Sequence, residues 1–253
     1  MNRVLNNACV VALLIATLGV TADAQDSRSE QSNYNNRAVA AFNTGNYALA
    51  VSLFTHSIQA DPNNSLTYYN LGTAYYFLKE YENARIALEK AVELRPKYSE
   101  AWNQLGVVYS DAGHYEKAVA AFEKSIKLRS DNANVFYNLG CTLIRMKRFE
   151  SAIEALKWSL HLKPNNPEAR LNLGVALSQS KRYDEAIVQL HAVVMLQPRD
   201  ADAQFLLGKL YLRTHDKRSA LACYAELKSL DPGLAQRLYV GITGGRVVFA
   251  DDK

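Results

Sequence analysis

The chain has 253 residues, with 29 lysines and arginines against 25 aspartates and glutamates, and a formal net charge of +4. Charges of both signs are interspersed, and no basic stripe follows one face of the chain. This distribution gives poor support to phosphate-driven binding of nucleic acid, which needs clustered cations. An apolar content of 49% is sufficient for one continuous core, so a second globular domain is not required.

Residues 1–24 have the features of a secretory signal peptide. They contain Arg3 near the start, an apolar stretch from Ala8 to Val20, and the small residues Ala22 and Ala24 at the end. The stretch is only about 13 residues long, short of the roughly 20 that a membrane-spanning helix needs. We therefore expect cleavage near Ala24, export to the periplasm or the extracellular space, and no stable membrane span in the mature chain. Residues 25–30 are polar and are predicted to form a disordered mature N-terminus.

From residue 31 to residue 234 the sequence repeats every 34 residues. Six repeats follow one another without a gap: 31–64, 65–98, 99–132, 133–166, 167–200 and 201–234. We number each repeat from position 1 to position 34. Position 8 is glycine in five repeats (Gly72, Gly106, Gly140, Gly174, Gly208), and position 20 is alanine in all six (Ala50, Ala84, Ala118, Ala152, Ala186, Ala220). Position 32 is proline in five repeats (Pro62, Pro96, Pro164, Pro198, Pro232).

The spacing within each repeat predicts two helices, A and B. Positions 4, 7, 8 and 11 form one apolar helix face, and positions 17, 20 and 24 form a second face after a short turn. The proline at position 32 favours an end to helix B. Glycine inside a helix costs about 0.5–1 kcal/mol relative to alanine. We therefore expect the two helices to approach closely where position 8 meets the alanine at position 20. Units of this length bury their apolar face by stacking on their neighbours.

These positions carry a family resemblance. The pattern bulky–x–x–Leu–Gly–x–x–Tyr, then Tyr–x–x–Ala–x–x–x–Phe, then Pro, resembles the tetratricopeptide repeat, and it recurs over residues 31–234. The resemblance implies an all-α fold, a right-handed α-α superhelix or solenoid, whose helices A line a concave surface that binds other proteins. The RNA-binding helical repeats of 35 residues are a rival that fits less well, because the period here stays at 34.

A row of amide side chains on helix A is the candidate binding feature. Position 6 is Asn36, Asn70, Gln104, Asn138 and Asn172 in the first five repeats. Asparagine is a mediocre helix former, so helix propensity does not explain why it recurs at this position, and a functional or structural role is indicated. A side-chain amide both donates and accepts, so it can pair with the backbone of an extended peptide of any sequence. The arrangement resembles the asparagine ladder in the repeat domain of O-linked N-acetylglucosamine transferases, and we call these five residues the ladder.

Apolar and aromatic residues beside the ladder would supply affinity. The candidates are Tyr69, Thr73, Tyr137, Leu171 and Phe205. The alternative interpretation is that the amides bond only to one another or to carbonyls of neighbouring helices. The two-carboxylate clamp known in this family is not expected, because Glu100 and Glu168 stand where it requires cations.

The predicted function is that of a non-enzymatic scaffold that binds an extended peptide segment. No catalytic constellation is apparent in the sequence, and no cofactor or metal site is expected. The alternatives are a targeting subunit that recruits substrates to a separate catalytic protein and, less well supported, an RNA-binding repeat. Cys141 and Cys223 are predicted to be free thiols, because stacked helices two repeats apart exceed the reach of a disulfide.

Residues 235–253 are predicted to form a capping helix and a short tail. Residues 235–242 can form one more helix, in which Leu238 and Tyr239 would cover the exposed flank of the sixth repeat. The tail from Arg246 to Lys253 is expected to fold back onto the last helix, with a docking strand for a partner as the alternative.

Overall fold

The computed structural model describes residues 33–244, and every regular element in this range is an α-helix. The predicted signal peptide, the predicted disordered segment 25–30 and the tail from Arg246 onwards lie outside the described residues. Helix α1 covers residues 33–43 of the described range. The other helices are α2 (Tyr47–Ala60), α3 (Ser65–Phe77), α4 (Tyr81–Leu94), α5 (Ser99–Asp111), α6 (Tyr115–Leu128), α7 (Ala133–Arg145), α8 (Phe149–Leu162), α9 (Pro167–Gln179), α10 (Tyr183–Leu196), α11 (Ala201–Arg213), α12 (Lys217–Leu230) and α13 (Pro232–Ile242).

The odd-numbered helices α1 to α11 are the predicted helices A, and the even-numbered helices are the predicted helices B. The prediction of an all-α chain built from helix–turn–helix repeats is confirmed over the described residues. The chain divides into two compact units, whose described parts are residues 33–117 (the N-terminal unit) and residues 118–244 (the C-terminal unit). Within residues 33–244, no helix combines the length and the apolar character needed to cross a bilayer.

Side-chain caps set the starts of several helices A. Asn64, Asn132 and Asn166 occupy position 34 of their repeats, and each side chain accepts a hydrogen bond from a backbone N–H in the first turn of the next helix. Every helix B from α2 to α12 ends at position 30, two residues before the usual proline. Helix α6 also ends there, although Ser130 replaces the proline in its repeat. The proline therefore reinforces this helix end but is not required for it.

The core of each unit lies between helices A and B. The alanine at position 20 is completely buried in all six repeats. At Gly72, Gly140 and Gly174 the atom nearest to an added methyl group belongs to the leucine at position 24, and the backbone oxygen of the alanine at position 20 follows at 3.0 Å from Gly72 and 3.6 Å from Gly174. A methyl group on Gly140 would lie 2.6 Å from Cγ of Leu156, and one on Gly174 would lie 2.9 Å from Cγ of Leu190. The missing side chain thus makes room for a buried leucine of helix B.

The turn between helices A and B needs a left-handed residue at position 15. Glycine supplies it at Gly45 (φ 78°) and Gly113 (φ 81°), where positive φ carries no steric cost. The other four repeats place a residue with a side chain there at φ values from 58° to 63°: Lys79, Lys147, Lys181 and His215.

Helix α13 covers the end of the last repeat. It begins at Pro232, three residues before the predicted start, because Asp231 accepts hydrogen bonds from the N–H groups of Gly233 and Leu234. Leu238 is completely buried, and its Cδ2 would lie 2.5 Å from a methyl group on Gly208. Tyr239 contributes less than expected, because it is 41% exposed and packs on the ring of Tyr224.

The two cysteines of the C-terminal unit are free, as predicted. Cys141 is half-buried and Cys223 is buried. Burial raises the pKa of both thiols, that of Cys223 to about 11. Among the described residues there is no group of three or more histidine, cysteine or acidic side chains placed to hold a metal ion.

Candidate functional site

The structure places the ladder residues on consecutive helices A within each unit. In the N-terminal unit, Asn36 is exposed on α1, and Asn70 on α3 and Gln104 on α5 are half-buried. In the C-terminal unit, Asn138 on α7 and Asn172 on α9 are also half-buried. The residues at positions 7 and 8 are mostly buried, so position 6 lies at the edge of the core with part of its side chain accessible.

Three predicted residues of the N-terminal unit come together around one cavity. Tyr69, Asn70 and Thr73, all on α3, line a cavity of ≈ 220 Å³. Its remaining wall is largely apolar and is formed by Val39, Phe42 and Phe54, together with Asn43. We call this space the amide cavity. Sequence reasoning missed Val39 and Phe42, because positions 9 and 12 do not keep one residue type from repeat to repeat.

The side-chain amide of Asn70 is not engaged by the described part of the protein. Its side chain makes no hydrogen bond to any of the residues that the structure describes, and the same holds for Gln104. Thr73, by contrast, donates its hydroxyl to the backbone oxygen of Tyr69 at 2.8 Å. Burial, and then the negative charge of Glu100, raises the pKa of Tyr69, so its phenol stays neutral at physiological pH. The cavity wall therefore combines a free amide with an uncharged hydroxyl.

In the C-terminal unit, the ladder residue Asn172 forms hydrogen bonds within the protein. Nδ2 of Asn172 donates to the backbone oxygen of Glu168 at 3.0 Å and lies 3.4 Å from the hydroxyl oxygen of Tyr137 on the neighbouring helix A. The Nδ2 group of Asn172 therefore agrees with the alternative interpretation given above, in which the ladder amides bond within the protein. Oδ1 of Asn172 accepts no hydrogen bond from the described residues. Burial and the adjacent Cys141 raise the pKa of Tyr137 to about 12.

The other predicted residues of the C-terminal unit lie deeper than expected. Leu171 is half-buried against the core. Phe205 is only 6% exposed. The guanidinium carbon of Arg237, on α13, lies 4.8 Å from the centre of the Phe205 ring, and Nζ of Lys209 lies 5.7 Å from it. Phe205 therefore offers little surface to a ligand, because the capping helix occupies the space beside it.

An aromatic cluster lies beside the amide cavity. Phe77 is 49% exposed, and its ring centre lies 4.8 Å from that of Tyr47 and 5.5 Å from that of Phe42. The ring centre of Tyr76 lies 5.7 Å from that of Phe77. Phe42 belongs both to this cluster and to the cavity wall, so the cluster extends the apolar surface that a ligand in the cavity would meet.

Comparison with known proteins agrees with the repeat architecture. Residues 22–204 match the family model of the cilia and flagella-associated protein 70 C-terminal domain, and residues 177–239 match the tetratricopeptide repeat model. None of the curated proteins gave a significant match to this sequence.

Several solved structures share the fold. YrrB, described as a TPR protein with an unusual peptide-binding site, is 28% identical, with a TM-score of 0.65 over 74% of this chain and 97% of its own. PilF of Pseudomonas aeruginosa is 21% identical, with a TM-score of 0.72 over 85% of this chain and 99% of its own. PilW, a widely conserved type IV pilus biogenesis factor, is 19% identical, with a TM-score of 0.73 over 83% of this chain and 98% of its own.

The successive helix pairs define an all-α helical-repeat protein. The glycines at position 8, the alanines at position 20 and the similarity to solved repeat structures agree with this class. The chain belongs to the tetratricopeptide-repeat family. A fold of this kind serves as a scaffold for interactions between proteins.

Proposed function

We propose that the chain is a non-enzymatic scaffold that binds an extended segment of a partner protein along the helix-A face of its repeats. The observation that carries this proposal is the amide cavity. Its wall places the side chain of Asn70, which makes no hydrogen bond to the described residues, beside apolar side chains and the hydroxyls of Tyr69 and Thr73. The similarity to YrrB, which has a peptide-binding site, supports the same function.

The amide cavity is large enough for an apolar side chain. An apolar cavity of about 150 Å³ is known to hold benzene, so ≈ 220 Å³ leaves room for a leucine or phenyl group. Burying such a side chain would contribute about 1.5–3 kcal/mol. Asn70 would then bind the backbone N–H and C=O next to the buried side chain, because an amide offers both a donor and an acceptor.

Magnitudes show why both kinds of contact are needed. A neutral hydrogen bond contributes only about 0.5–1.5 kcal/mol net, whereas association costs about 4–15 kcal/mol. The amides alone therefore could not hold a ligand. In this proposal the apolar wall and the aromatic cluster supply most of the affinity, and the ladder fixes the register of the bound backbone.

In the C-terminal unit the ladder would act as an acceptor. Since Nδ2 of Asn172 is already bonded to Glu168, Oδ1 is the atom left to receive a backbone N–H from a partner. We further propose that this binding takes place outside the cytoplasm, in the cell envelope or beyond it. The support for that step is the signal-peptide pattern of residues 1–24.

The test begins with a display selection of random linear decapeptides on the full chain, followed by affinity measurement of a selected peptide by fluorescence anisotropy. The ladder variant Asn70→Ala/Asn138→Ala/Asn172→Ala should weaken binding at least about tenfold, since up to three hydrogen bonds are lost. A matched variant removes three amides from outside the helices A, at Gln59, Asn83 and Gln236, and should bind within about twofold of the original chain.

Unchanged affinity of the ladder variant, with its helical circular dichroism intact, would refute the ladder as the binding element. Salt separates this function from nucleic-acid binding. Raising the salt from about 50 to 200 mM should change peptide affinity only a few-fold, whereas a protein that binds phosphates at many points loses about a thousandfold or more.

A further inference from the structure

Large apolar side chains are exposed where α8 and α10 end. Trp158 near the end of α8 is 55% exposed, Met195 in the last turn of α10 is 70% exposed, and Leu196, the last residue of α10, is 47% exposed. Trp158 stands at position 26 and Met195 at position 29. In the N-terminal unit these two positions carry polar side chains: His56, Gln59, Lys90 and Glu93. The repeat fold therefore does not require apolar residues at this place.

The ends of α8 and α10 lie side by side. Arg170, in the first turn of α9, donates to the backbone oxygen of Pro164, just after α8, at 3.0 Å and to Oε1 of Gln189 on α10 at 3.2 Å. Each helix end is followed by an exposed cation, Lys163 after α8 and Arg199 after α10. We use the name α8–α10 edge for the surface formed by Trp158, Lys163, Met195, Leu196 and Arg199.

The C-terminal unit also carries most of the positive charge. Residues 118–244 contain 18 lysines and arginines against 12 aspartates and glutamates, a net charge of +6, whereas residues 33–117 contain 7 against 8. Two copies of the chain that met edge to edge would bring these like charges together, so self-association through the α8–α10 edge is disfavoured. The charge favours a negatively charged partner instead.

The side chains of the edge suit a bilayer surface better than an acidic protein. A fluid layer of acyl chains can surround separate protruding side chains, whereas a protein partner would need a surface of matching shape. The indole N–H of Trp158 makes no hydrogen bond to the described residues, and an indole ring with a free N–H is typical of the level of lipid headgroups. Lysine and arginine beside it attract anionic headgroups.

We propose that the α8–α10 edge binds the surface of a bilayer that contains anionic phospholipids. Trp158 then lies among the headgroups, Met195 and Leu196 reach the boundary of the acyl chains, and the two cations pair with lipid phosphates. Such binding is peripheral and needs no membrane-spanning helix. The edge lies on helices B and does not include the ladder, so this inference goes beyond the proposed function and does not depend on it.

The experiment measures co-sedimentation with vesicles of phosphatidylcholine, either alone or with about one third of phosphatidylglycerol. The chain from Gln25 onwards is used, because the apolar stretch before it would bind lipid by itself. Binding to the anionic vesicles should be at least about tenfold tighter than to the neutral ones. In the Trp102→Phe background Trp158 is the one remaining tryptophan, and its emission should shift to shorter wavelength on the anionic vesicles.

Apolar variants test the contact with the acyl chains. Met195→Ser should weaken binding to the anionic vesicles about fivefold, and Trp158→Ser/Met195→Ser at least about tenfold. Met195 is so exposed that its replacement should leave the fold intact even if Trp158, which stacks on Phe136 at 6.1 Å, also supports the local packing. Helical circular dichroism checks each variant.

Charge variants test the contact with the phosphates. Lys163→Gln/Arg199→Gln should weaken binding to the anionic vesicles about tenfold or more, since each cation near a charged bilayer is worth about fivefold. The matched control is Ile86→Ser/Lys97→Gln in the N-terminal unit, where Ile86 is as exposed as Trp158 and Lys97 occupies the repeat position of Arg199. This control should bind within about twofold of the original chain.

The other outcomes would overturn the proposal. They are absence of binding to either kind of vesicle, equal binding to both kinds, and binding that Trp158→Ser/Met195→Ser leaves unchanged. Without lipid, a dimer seen by light scattering and abolished in this double variant would show that a second copy covers the edge. Capture on immobilised polyglutamate that the same variant loses would assign the edge to an acidic polypeptide. None of these results touches peptide binding, which the ladder variant tests separately.

Discussion

Replacing Gly140 with alanine would place a methyl group 2.6 Å from Cγ, 2.9 Å from Cδ2 and 3.4 Å from Cδ1 of Leu156. Leu156 is completely buried, so it has little room to move away. Crowding of this kind in a packed core costs about 1–3 kcal/mol, and the better helix propensity of alanine returns at most about 1 kcal/mol. Gly140→Ala should therefore destabilise the chain by about 1–2 kcal/mol.

Leu156 also provides the internal check, because the three atoms nearest to the added methyl group of Gly140 all belong to it. Leu156→Ala alone should cost about 2–5 kcal/mol through the cavity that it leaves. In that background the added methyl group partly fills the space, so Gly140→Ala should become neutral or stabilising. The double-mutant cycle should thus show a coupling of about 2 kcal/mol, measured from urea unfolding followed by circular dichroism.

The pair Gly72 and Leu88 is the matched comparison. A methyl group on Gly72 would lie 2.6 Å from Cγ of Leu88 but also 3.0 Å from the backbone oxygen of Ala84, which no side-chain substitution removes. Gly72→Ala should therefore remain destabilising in the Leu88→Ala background. The reasoning would be refuted if Gly140→Ala stabilised the original chain, as helix propensity alone predicts, or if the Gly140 cycle showed no coupling.

Three further predictions concern backbone strain and ionisation. Gly113→Ala should lower the free energy of unfolding, measured in urea, by about 1 kcal/mol, because the φ of Gly113 is 81°. Lys147→Gly should be neutral or stabilising, because Lys147 already has a φ of 58°. Equal effects of the two changes would contradict this prediction. Burial, with help from Glu89, raises the pKa of Tyr109 to about 12, so its contribution to stability should be complete below pH 10 and disappear as the pH rises through 12. Unfolding measured between pH 9 and pH 12 should show a smaller loss in Tyr109→Phe. Since burial raises the pKa of Cys223 to about 11, its thiol should react slowly with a thiol reagent at pH 8 and rapidly after unfolding; equal rates would show that the site is open.

The sequence predicted the repeat architecture well because the core positions repeat. The alanine at position 20 is completely buried in every repeat, so its recurrence in the sequence correctly indicated a core position. The glycine at position 8 was also identified as a point of close approach; the alanine at position 20 is in contact there at Gly72 and Gly174, but the leucine at position 24 lies nearer. Which helix-B residue lies nearest depends on the crossing of the two helices, and Leu156 at position 24 could not be distinguished from Ala152 at position 20 by spacing alone.

The candidate site was predicted less completely, because its features depend on contacts between repeats that differ from one another. Tyr69 and Asn70 do lie together at a cavity, but the wall supplied by Val39 and Phe42 has no repeated signature. Phe205 occupies the same position as Tyr69, yet Arg237 of the capping helix lies over its ring. Position in the repeat therefore predicts which face a residue belongs to, and the neighbouring helix decides whether that face is accessible.

The central claim is that the ladder amides hold the backbone of a bound segment. A selected peptide should be synthesised in a series with a single N-methyl group moved along the chain, since each methyl group removes one backbone N–H donor. In an extended peptide every second residue faces the same side. The account predicts about tenfold weaker binding when methyl groups occupy alternate positions, and loss of this sensitivity in the ladder variant. Equal binding of all the methylated peptides would contradict the claim.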